Sequence, residues 1–189
     1  MEAKKDSATD VMASQSWKID EVHSKIRFSA RHMVIAEVEG QFSKFDFNLN
    51  NDGDDFSTSQ VELTIEADSV DTRNSDRDNH LRSADFFDAE KFPTIKFKST
   101  SVKKINDEKY KLLGDLTIKE NTRQIELDVT YGGQIKDPWG NTRAGFNVKG
   151  TLNRFDYGLK WNNLIETGGA VVGKYININC DIEVIKVKE

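Results

Sequence analysis

From Trp17 onward, apolar and polar residues alternate over short runs with a period of two. This period sends successive side chains to opposite faces of an extended chain, and it predicts half-buried β-strands. A run around Phe42, Phe45 and Phe47 changes phase near Ser43–Lys44, which indicates a β-bulge. The clearest other runs lie at 26–31, 61–66, 95–98, 110–119, 125–129, 144–149 and 176–184.

Only the segment 69–91 departs from this period. There Asn74 or Ser75 is placed to cap a short helix over 76–85, and Pro93 ends the segment before the next strand. The sequence therefore predicts a short helical segment near 74–90 within an otherwise all-β chain.

Turn sequences separate the strands at hairpin spacing. Eight or more such strands, each with one apolar face, predict an all-β sandwich or a closed antiparallel barrel. We favour the barrel because closure removes the unpaired edges that promote aggregation. With about eight strands the interior is either filled by side chains or holds one small ligand, and the pattern leaves both open. The turns are Asn51-Asp52-Gly53, Asn106-Asp107, Gly132-Gly133, 137–140 and Gly168-Gly169.

Composition narrows the function classes. The 189 residues carry a formal net charge of −5 and mix basic with acidic residues along the chain, which argues against a nucleic-acid partner. One cysteine, Cys180, excludes an intrachain disulfide and a cysteine-based zinc cluster. No apolar run approaches the ~18–20 residues of a transmembrane helix.

The first 16 residues are small and polar and lack the hydrophobic core of a signal peptide. We expect residues 1–16 to form a disordered tail that is dispensable for the fold, followed by one domain over 17–189. Such tails often follow a removed export signal, so we expect a periplasmic or otherwise exported protein. A cytoplasmic location stays open.

Several candidate motifs have simpler structural explanations. Gly168 to Lys174 matches the P-loop spacing, but Tyr175 follows where a P-loop needs Ser or Thr and a helix. The acidic residues around His80 could support acid–base chemistry, yet solvated helix charges with capping roles explain them more simply. Cys180 lies on an apolar row and is expected to be a small buried hydrophobe. We expect neither catalytic residues nor a metal site.

Several segments, in this order and spacing, resemble the YceI family of lipid-binding proteins. The resemblance runs from Trp17 to about Val187, and one departure lies at the turn 119–122, where the family usually has a glycine. We expect Asn121 to supply the left-handed conformation there. The matching segments are 17–20, His23-Ser24, Phe28, His32, Gly40-Gln41-Phe42, 69–72, 77–83, 85–88, Phe92-Pro93, 96–100 and 114–118.

The resemblance implies a lipocalin-like extended β-barrel that carries or stores a long-chain lipid, such as a polyisoprenoid, a quinone or a fatty-acid-like amphiphile, with no other cofactor. It also implies export to the periplasm in many relatives and a homodimer in some. Two alternatives stay open: an enzyme that modifies a barrel-bound lipid, and a ligand-free interaction module. Mass spectrometry of the solvent-extracted protein distinguishes the three.

We expect the inward rows to line the lumen, and we expect polar groups at its mouth to meet the ligand head group. The head-group candidates are His32, Arg77, His80 and Arg154. The lumen candidates are Ile26, Phe28, Phe42, Phe45, Phe47, Leu63, Ile65, Phe97, Leu112, Leu116, Leu127, Val129, Ala144, Phe146, Val148 and Ile178.

Overall fold

The computed structural model describes residues 14–164 and 169–188. These residues form eleven β-strands, one α-helix and three short 3-10 turns. The helix α1 spans Ser75–Arg82. The strands are β1 Ser14–Ile19, β2 Ile26–His32, β3 Ala36–Phe42, β4 Phe45–Asp52, β5 Gln60–Glu66, β6 Val70–Asp71, β7 Thr94–Lys104, β8 Lys109–Ile118, β9 Asn121–Lys136, β10 Thr142–Asn153 and β11 Val172–Lys186.

The sheet is antiparallel and closes on itself, because β1 pairs with β4 on one side and with β11 on the other. The closed ring runs β1-β4-β5-β7-β8-β9-β10-β11. This confirms the predicted all-β fold, an eight-stranded antiparallel barrel with one short helix. Ring closure gives each of these strands two hydrogen-bonded neighbours.

The remaining strands extend the barrel at one end. β2 pairs with the first half of β11, while β1 pairs with its last residues, so β1 and β2 follow one another along the same strand. In the same way β3, which pairs with β2, and β4, which pairs with β1, follow one another along the next strand position of the sheet. The change of phase at Ser43–Lys44 is the break between β3 and β4, where the backbone N–H of Ser43 donates to the carbonyl of Ser69 over 3.1 Å.

The first strand begins at Ser14, three residues before the apolar alternation. The proposed tail over 1–16 is therefore too long, and its residues 1–13 lie outside the described residues. Ser14 to Ser16 pair with β4 at the end of the ring, and the Ser16 hydroxyl donates to Asn50 over 2.7 Å. Because these residues place no large apolar side chain in the core, the alternation of apolar and polar residues does not predict that they belong to the strand.

The helix begins as predicted but ends at Arg82. The Asn74 side chain accepts from the backbone N–H of Arg77 over 2.9 Å, and turns from Ser83 onward bury Phe86. Asp78 is buried and accepts from both the N–H and the hydroxyl of Thr72. It therefore ties α1 to the end of β6 and is not a solvated charge. The helix is too short to cross a bilayer, and the structure describes no other helix long and apolar enough to do so.

The turn between β8 and β9 differs from expectation. Lys119, and not Asn121, takes the left-handed conformation, with φ of 57°. Ile118 pairs with Asn121, so the two residues between them form the tight turn. Asn121 belongs to the strand pair, which is why its tolerance of left-handed angles is not used.

Arg143 on β10 joins three segments at the outer wall. Its guanidinium donates to Asp137 over 2.7 Å, to Asp20 over 2.5 Å and to Glu183 over 2.6 Å. Burial of Asp20 acts to raise its pKa, but the hydrogen bonds from Arg143 and His23 outweigh that effect and lower the pKa to about 2. The connection between β1 and β2 is thereby fixed to β10 and β11.

Asp20 should stabilise the fold only while it is ionised. Its pKa is about 2 in the folded chain and about 3.9 in an unfolded one, so its contribution is present above pH ~4 and is lost as the pH falls toward 2. We expect Asp20→Asn to lower the free energy of unfolding at neutral pH, with the difference from the native protein shrinking between pH ~4 and ~2. Urea unfolding across this range measures it, and a difference independent of pH would contradict the prediction.

Trp17 is the buried anchor of β1. Its indole N–H donates to the Asn51 side chain over 2.7 Å, and its ring lies 5.6 Å from that of Phe56. We expect Trp17→Ala to lower the free energy of unfolding by ~3–5 kcal/mol, because it leaves a cavity where the ring closes. Trp17→Phe should lower the free energy of unfolding by ~1–3 kcal/mol, mainly because the hydrogen bond to Asn51 is lost.

Denaturant unfolding measures both effects. Lys18→Ala is the matched control, since Lys18 is exposed on the same strand, and it should change the free energy of unfolding by less than ~0.5 kcal/mol. A Trp17→Ala chain as stable as this control would show that β1 does not contribute to closure.

Candidate functional site

The lumen is lined by the inward rows of the ring strands. Beside α1 it forms a cavity of about 210 Å³, and a smaller cavity of about 70 Å³ lies farther along the barrel. Both are sections of one lumen, because they share wall residues. The shared residues are Phe47, Val61, Leu112, Val148 and Ile182.

Aromatic side chains fill one end of the barrel, which we call the aromatic end. The ring of Phe56 lies 4.9 Å from that of Phe146 and 5.3 Å from that of Tyr131, in addition to its contact with Trp17. The Ser59 hydroxyl faces the smaller cavity, is buried, and has no hydrogen-bond partner among the described residues.

The opposite end, which we call the α1 end, is formed by α1, the turns that follow it and the segment 154–164. Leu81, Phe86 and Phe87 line the larger cavity there. Phe87 meets Phe42 of β3 edge-on at 5.7 Å. These hydrophobic contacts hold α1 over the lumen, in addition to the hydrogen bonds of Arg77 and Asp78 with Thr72.

Arg154 is a charged residue on the lumen wall that is surrounded by backbone carbonyls. It is only 2% exposed, and its guanidinium donates to the carbonyls of Gly173, Leu159, Trp161 and Val172 over 2.5–3.2 Å. Arginine has five N–H donors, so one N–H at Nη2 stays without an acceptor among the described residues.

No described carboxylate pairs with Arg154. Burial lowers the pKa of the guanidinium, although arginine stays protonated. Within the part of the chain that the structure describes, carbonyl dipoles balance this charge. The other charged residue on the cavity lining, Arg27, pairs with Asp181. Arg154 thus lines the cavity through the carbon atoms of its side chain, and its guanidinium lies behind the wall among these carbonyls.

Comparison with known proteins assigns the family. The sequence profile of the YceI-like domain matches residues 17–184. The chain belongs to the YceI-like family. A UPF0312 protein of Staphylococcus epidermidis is 40% identical over 168 residues, which cover 88% of this chain and 95% of that protein.

Solved structures agree with this assignment. The YceI protein of Campylobacter jejuni is 32% identical with a TM-score of 0.74, over 84% of this chain and 90% of that one. A polyisoprenoid binding domain from Saccharophagus degradans shares the fold with a TM-score of 0.62 at 10% identity, over 89% of this chain and 97% of that one.

In this YceI-like chain, most residues of the predicted inward rows line the larger cavity. Val129 and Phe146 line only the smaller one. The predicted residues on the larger cavity are Ile26, Phe28, Phe42, Phe47, Leu63, Ile65, Phe97, Leu112, Leu116, Leu127, Val148 and Ile178.

Two predicted lumen residues line neither cavity. Phe45 is half-buried beside the break between β3 and β4 and packs against the core. Ala144 is 1% exposed, but it lies toward the aromatic end, beyond Phe146 on β10. There the interior is filled by side chains, so an inward position no longer means a position on the cavity.

Of the four predicted head-group residues, only Arg154 lines the lumen. His32 ends β2 and lies beyond the cavity-lining Ala30. The Arg77 guanidinium donates to the hydroxyl and the carbonyl of Thr72, which supports the end of β6. The other three are therefore not placed to meet a ligand inside the barrel.

His80 belongs to the covering layer of the α1 end. Its Nε2 lies 2.8 Å from an oxygen of Asp85, and its ring meets Trp161 edge-on at 4.6 Å. These contacts explain the histidine and aspartate of the acidic cluster without chemistry on a ligand.

Sequence reasoning missed two groups of lining residues. Some belong to the alternating rows, and all of these except Leu152 lie within the runs that the sequence analysis identified but were not among the predicted lumen residues. Others come from helix or loop segments, where no period of two exists to identify them. The first group is Val61, Ile95, Ile118, Ile125, Leu152, Ile176, Cys180 and Ile182, and the second is Leu81, Phe86, Phe87 and Leu159.

Cys180 provides a probe of the lumen. Burial raises the pKa of its thiol to about 11, from an ordinary value near 9, and the thiol is reached from the cavity. We expect a disulfide reagent at pH ~8 to react with the folded protein at least roughly a hundredfold more slowly than with the chain in denaturant. Equal rates in the two states would contradict the placement of Cys180 on the lumen wall.

Proposed function

We propose that this chain binds a long-chain apolar lipid, such as a polyisoprenoid or a quinone, inside the barrel and carries or stores it unchanged. The observation that carries the proposal is the cavity of about 210 Å³, whose wall is almost entirely hydrocarbon. A water molecule finds few hydrogen-bond partners in such a space, whereas the burial of each methylene of a lipid tail contributes about 0.8 kcal/mol to the free energy of binding. The structural similarity to a polyisoprenoid binding domain supports the same ligand class.

Arg154 suggests how the lipid is oriented. The smaller cavity at the aromatic end is lined by hydrocarbon and aromatic groups and one serine, which suit a tail. Arg154, at the α1 end, is a buried cation on the cavity wall, and no carboxylate among the described residues pairs with it. We therefore place the oxygen-bearing head group beside Arg154 and the tail toward Phe56 and Phe146.

The absence of chemistry is part of the proposal. Cys180, the thiol on the lumen wall, has a raised pKa and is a poor nucleophile near neutral pH. His80, Asp78 and Asp85 are engaged in contacts that position α1. An enzyme acting on the bound lipid is the alternative, and extraction of the purified protein followed by mass spectrometry tests it. A stoichiometric unaltered lipid supports the carrier, and a chemically converted one supports the enzyme.

Val148 and Ala144 form a matched pair that tests whether the lumen is a ligand site. Both lie on the inward face of β10, but only Val148 lines the cavities. We expect Val148→Trp to cost the lipid-free protein little stability, because the new ring enters empty space. It should exclude or shorten the bound lipid. Ala144→Trp should destabilise the chain by ~1–3 kcal/mol or more, since its surroundings are already packed.

The measurements are urea unfolding of the delipidated variants and mass spectrometry of the lipid that each retains. Lys149→Trp on the outer face of β10 is the control and should change neither. If Val148→Trp strongly destabilises the chain and leaves its lipid content intact, Val148 packs against protein and the proposed site is wrong.

A further inference from the structure

A strongly exposed apolar cluster lies at the α1 end of the barrel. The connection between β2 and β3 consists of Met33, Val34 and Ile35, and Ile35 is 87% exposed. Leu164, 85% exposed, lies on the adjacent segment, which bridges back through Ala170. We call Met33, Val34, Ile35 and Leu164 the apolar tip.

The residues of the connection between β2 and β3 are not those that stabilise a tight turn. Met33 and Val34 have φ of 48° and 68°, in the left-handed region that asparagine and glycine prefer. A β-branched valine is strained there, and water surrounds most of its side chain. Such a choice of residues indicates a contact outside the folded chain.

The apolar tip lies next to the lumen. His32 pairs with Val172, and the N–H of Met33 donates to the carbonyl of Val171 over 2.9 Å. Val172 and Ala30 both line the larger cavity, so the tip begins within three residues of the lumen wall. On the opposite side of this end, the described segment 70–92 has no large exposed apolar side chain.

Basic residues outnumber acidic residues around the apolar tip. The segments 30–37 and 158–175 contain Arg31, Lys160 and Lys174, against Glu166 and Glu37, which lies opposite Arg31 on β3. Arg31 donates to the carbonyl of Val34 over 3.1 Å, which places its guanidinium at the tip itself. Exposed apolar side chains beside lysine and arginine are typical of segments that lie in the interface of a membrane with anionic lipids.

We propose that the apolar tip docks on an anionic lipid bilayer, with its side chains in the interfacial layer and Arg31, Lys160 and Lys174 at the lipid phosphates. This inference rests on the proposed function, because docking there brings the α1 end, and Arg154 behind it, to the surface from which a lipid enters or leaves. The projecting tip offers one short hairpin and one leucine, which suit insertion between headgroups better than the broad flat contact of a protein partner.

The first test uses a fluorescent label at the tip. Ile35→Cys labelled with an environment-sensitive dye should shift its emission to the blue when vesicles of phosphatidylcholine and phosphatidylglycerol are added. Cys180 is buried with a raised pKa and should stay unlabelled. The matched control is Trp139→Cys, because Trp139 is 78% exposed in the turn between β9 and β10 at the aromatic end. Its label should not respond.

The second test removes the tip. Met33→Ser with Val34→Asn and Ile35→Ser should weaken co-sedimentation with these vesicles at least roughly tenfold. Folding should be preserved, because asparagine suits the left-handed position. Trp139→Ser should bind vesicles as the native protein does, and vesicles of phosphatidylcholine alone should bind the native protein more weakly.

Three results would overturn the docking inference: no binding of native protein to the anionic vesicles, unchanged binding of the tip variant, or a native dimer that the tip variant converts to a monomer. The last would make the tip an interface between copies. Mass spectrometry of the extracted protein separates this inference from the proposed function. Tip-dependent vesicle binding by a protein with no lipid would keep the docking surface and reject the carrier.

Discussion

Closure of the ring by β1 is the constraint on which the rest of the structure depends. One short strand pairs with both β4 and β11, and its register places Trp17 against the interior. Once eight strands are closed, the width of the interior follows from strand number and tilt, and side chains cannot change it. The inward rows then meet across a gap that leucine, isoleucine and valine do not span. The lumen is a consequence of closure and of side-chain size.

The two ends of the barrel differ in how the space between the inward rows is closed. At the aromatic end, large rings around Phe56 fill the interior, and the outer wall nearby is joined by Arg143 and its three carboxylates. At the α1 end the barrel is hollow, and α1 covers it together with Phe86 and Phe87 of the turns that follow α1. A short helix held by a few side-chain contacts is easier to displace than a ring of paired strands. The barrel is therefore rigid at the aromatic end, where side chains fill its interior. At the α1 end its interior is hollow and is covered by α1.

Arg154 connects the hollow part of the barrel to polar chemistry. Its charge is buried and balanced by backbone carbonyls from the segments 159–161 and 172–173. Leu159 and Trp161 lie in irregular backbone, and Val172 and Gly173 lie at the start of β11, where its register with β2 shifts, so their carbonyls are free for this purpose. The irregular segment after β10 is thus part of the site and not only a connection. It joins the lumen, the covering layer and the apolar tip in one place.

The sequence alone determined which residues point inward. Alternation predicted the strands from β2 onward except β6 and β3, which it joined with β4 in one run, and it placed a turn at Gly132-Gly133 where β9 continues. Asn74 identified the start of α1, and Pro93 marked the return to strand. Tertiary structure decided what the alternation cannot report. Polar Ser14 to Ser16 join the ring, and Val148 lines the lumen while Ala144 on the same row does not. Arg154 alone among the four head-group candidates lines the cavity. The physical reason is that a period of two reports the face of a strand, whereas a cavity depends on the distance to the opposite wall.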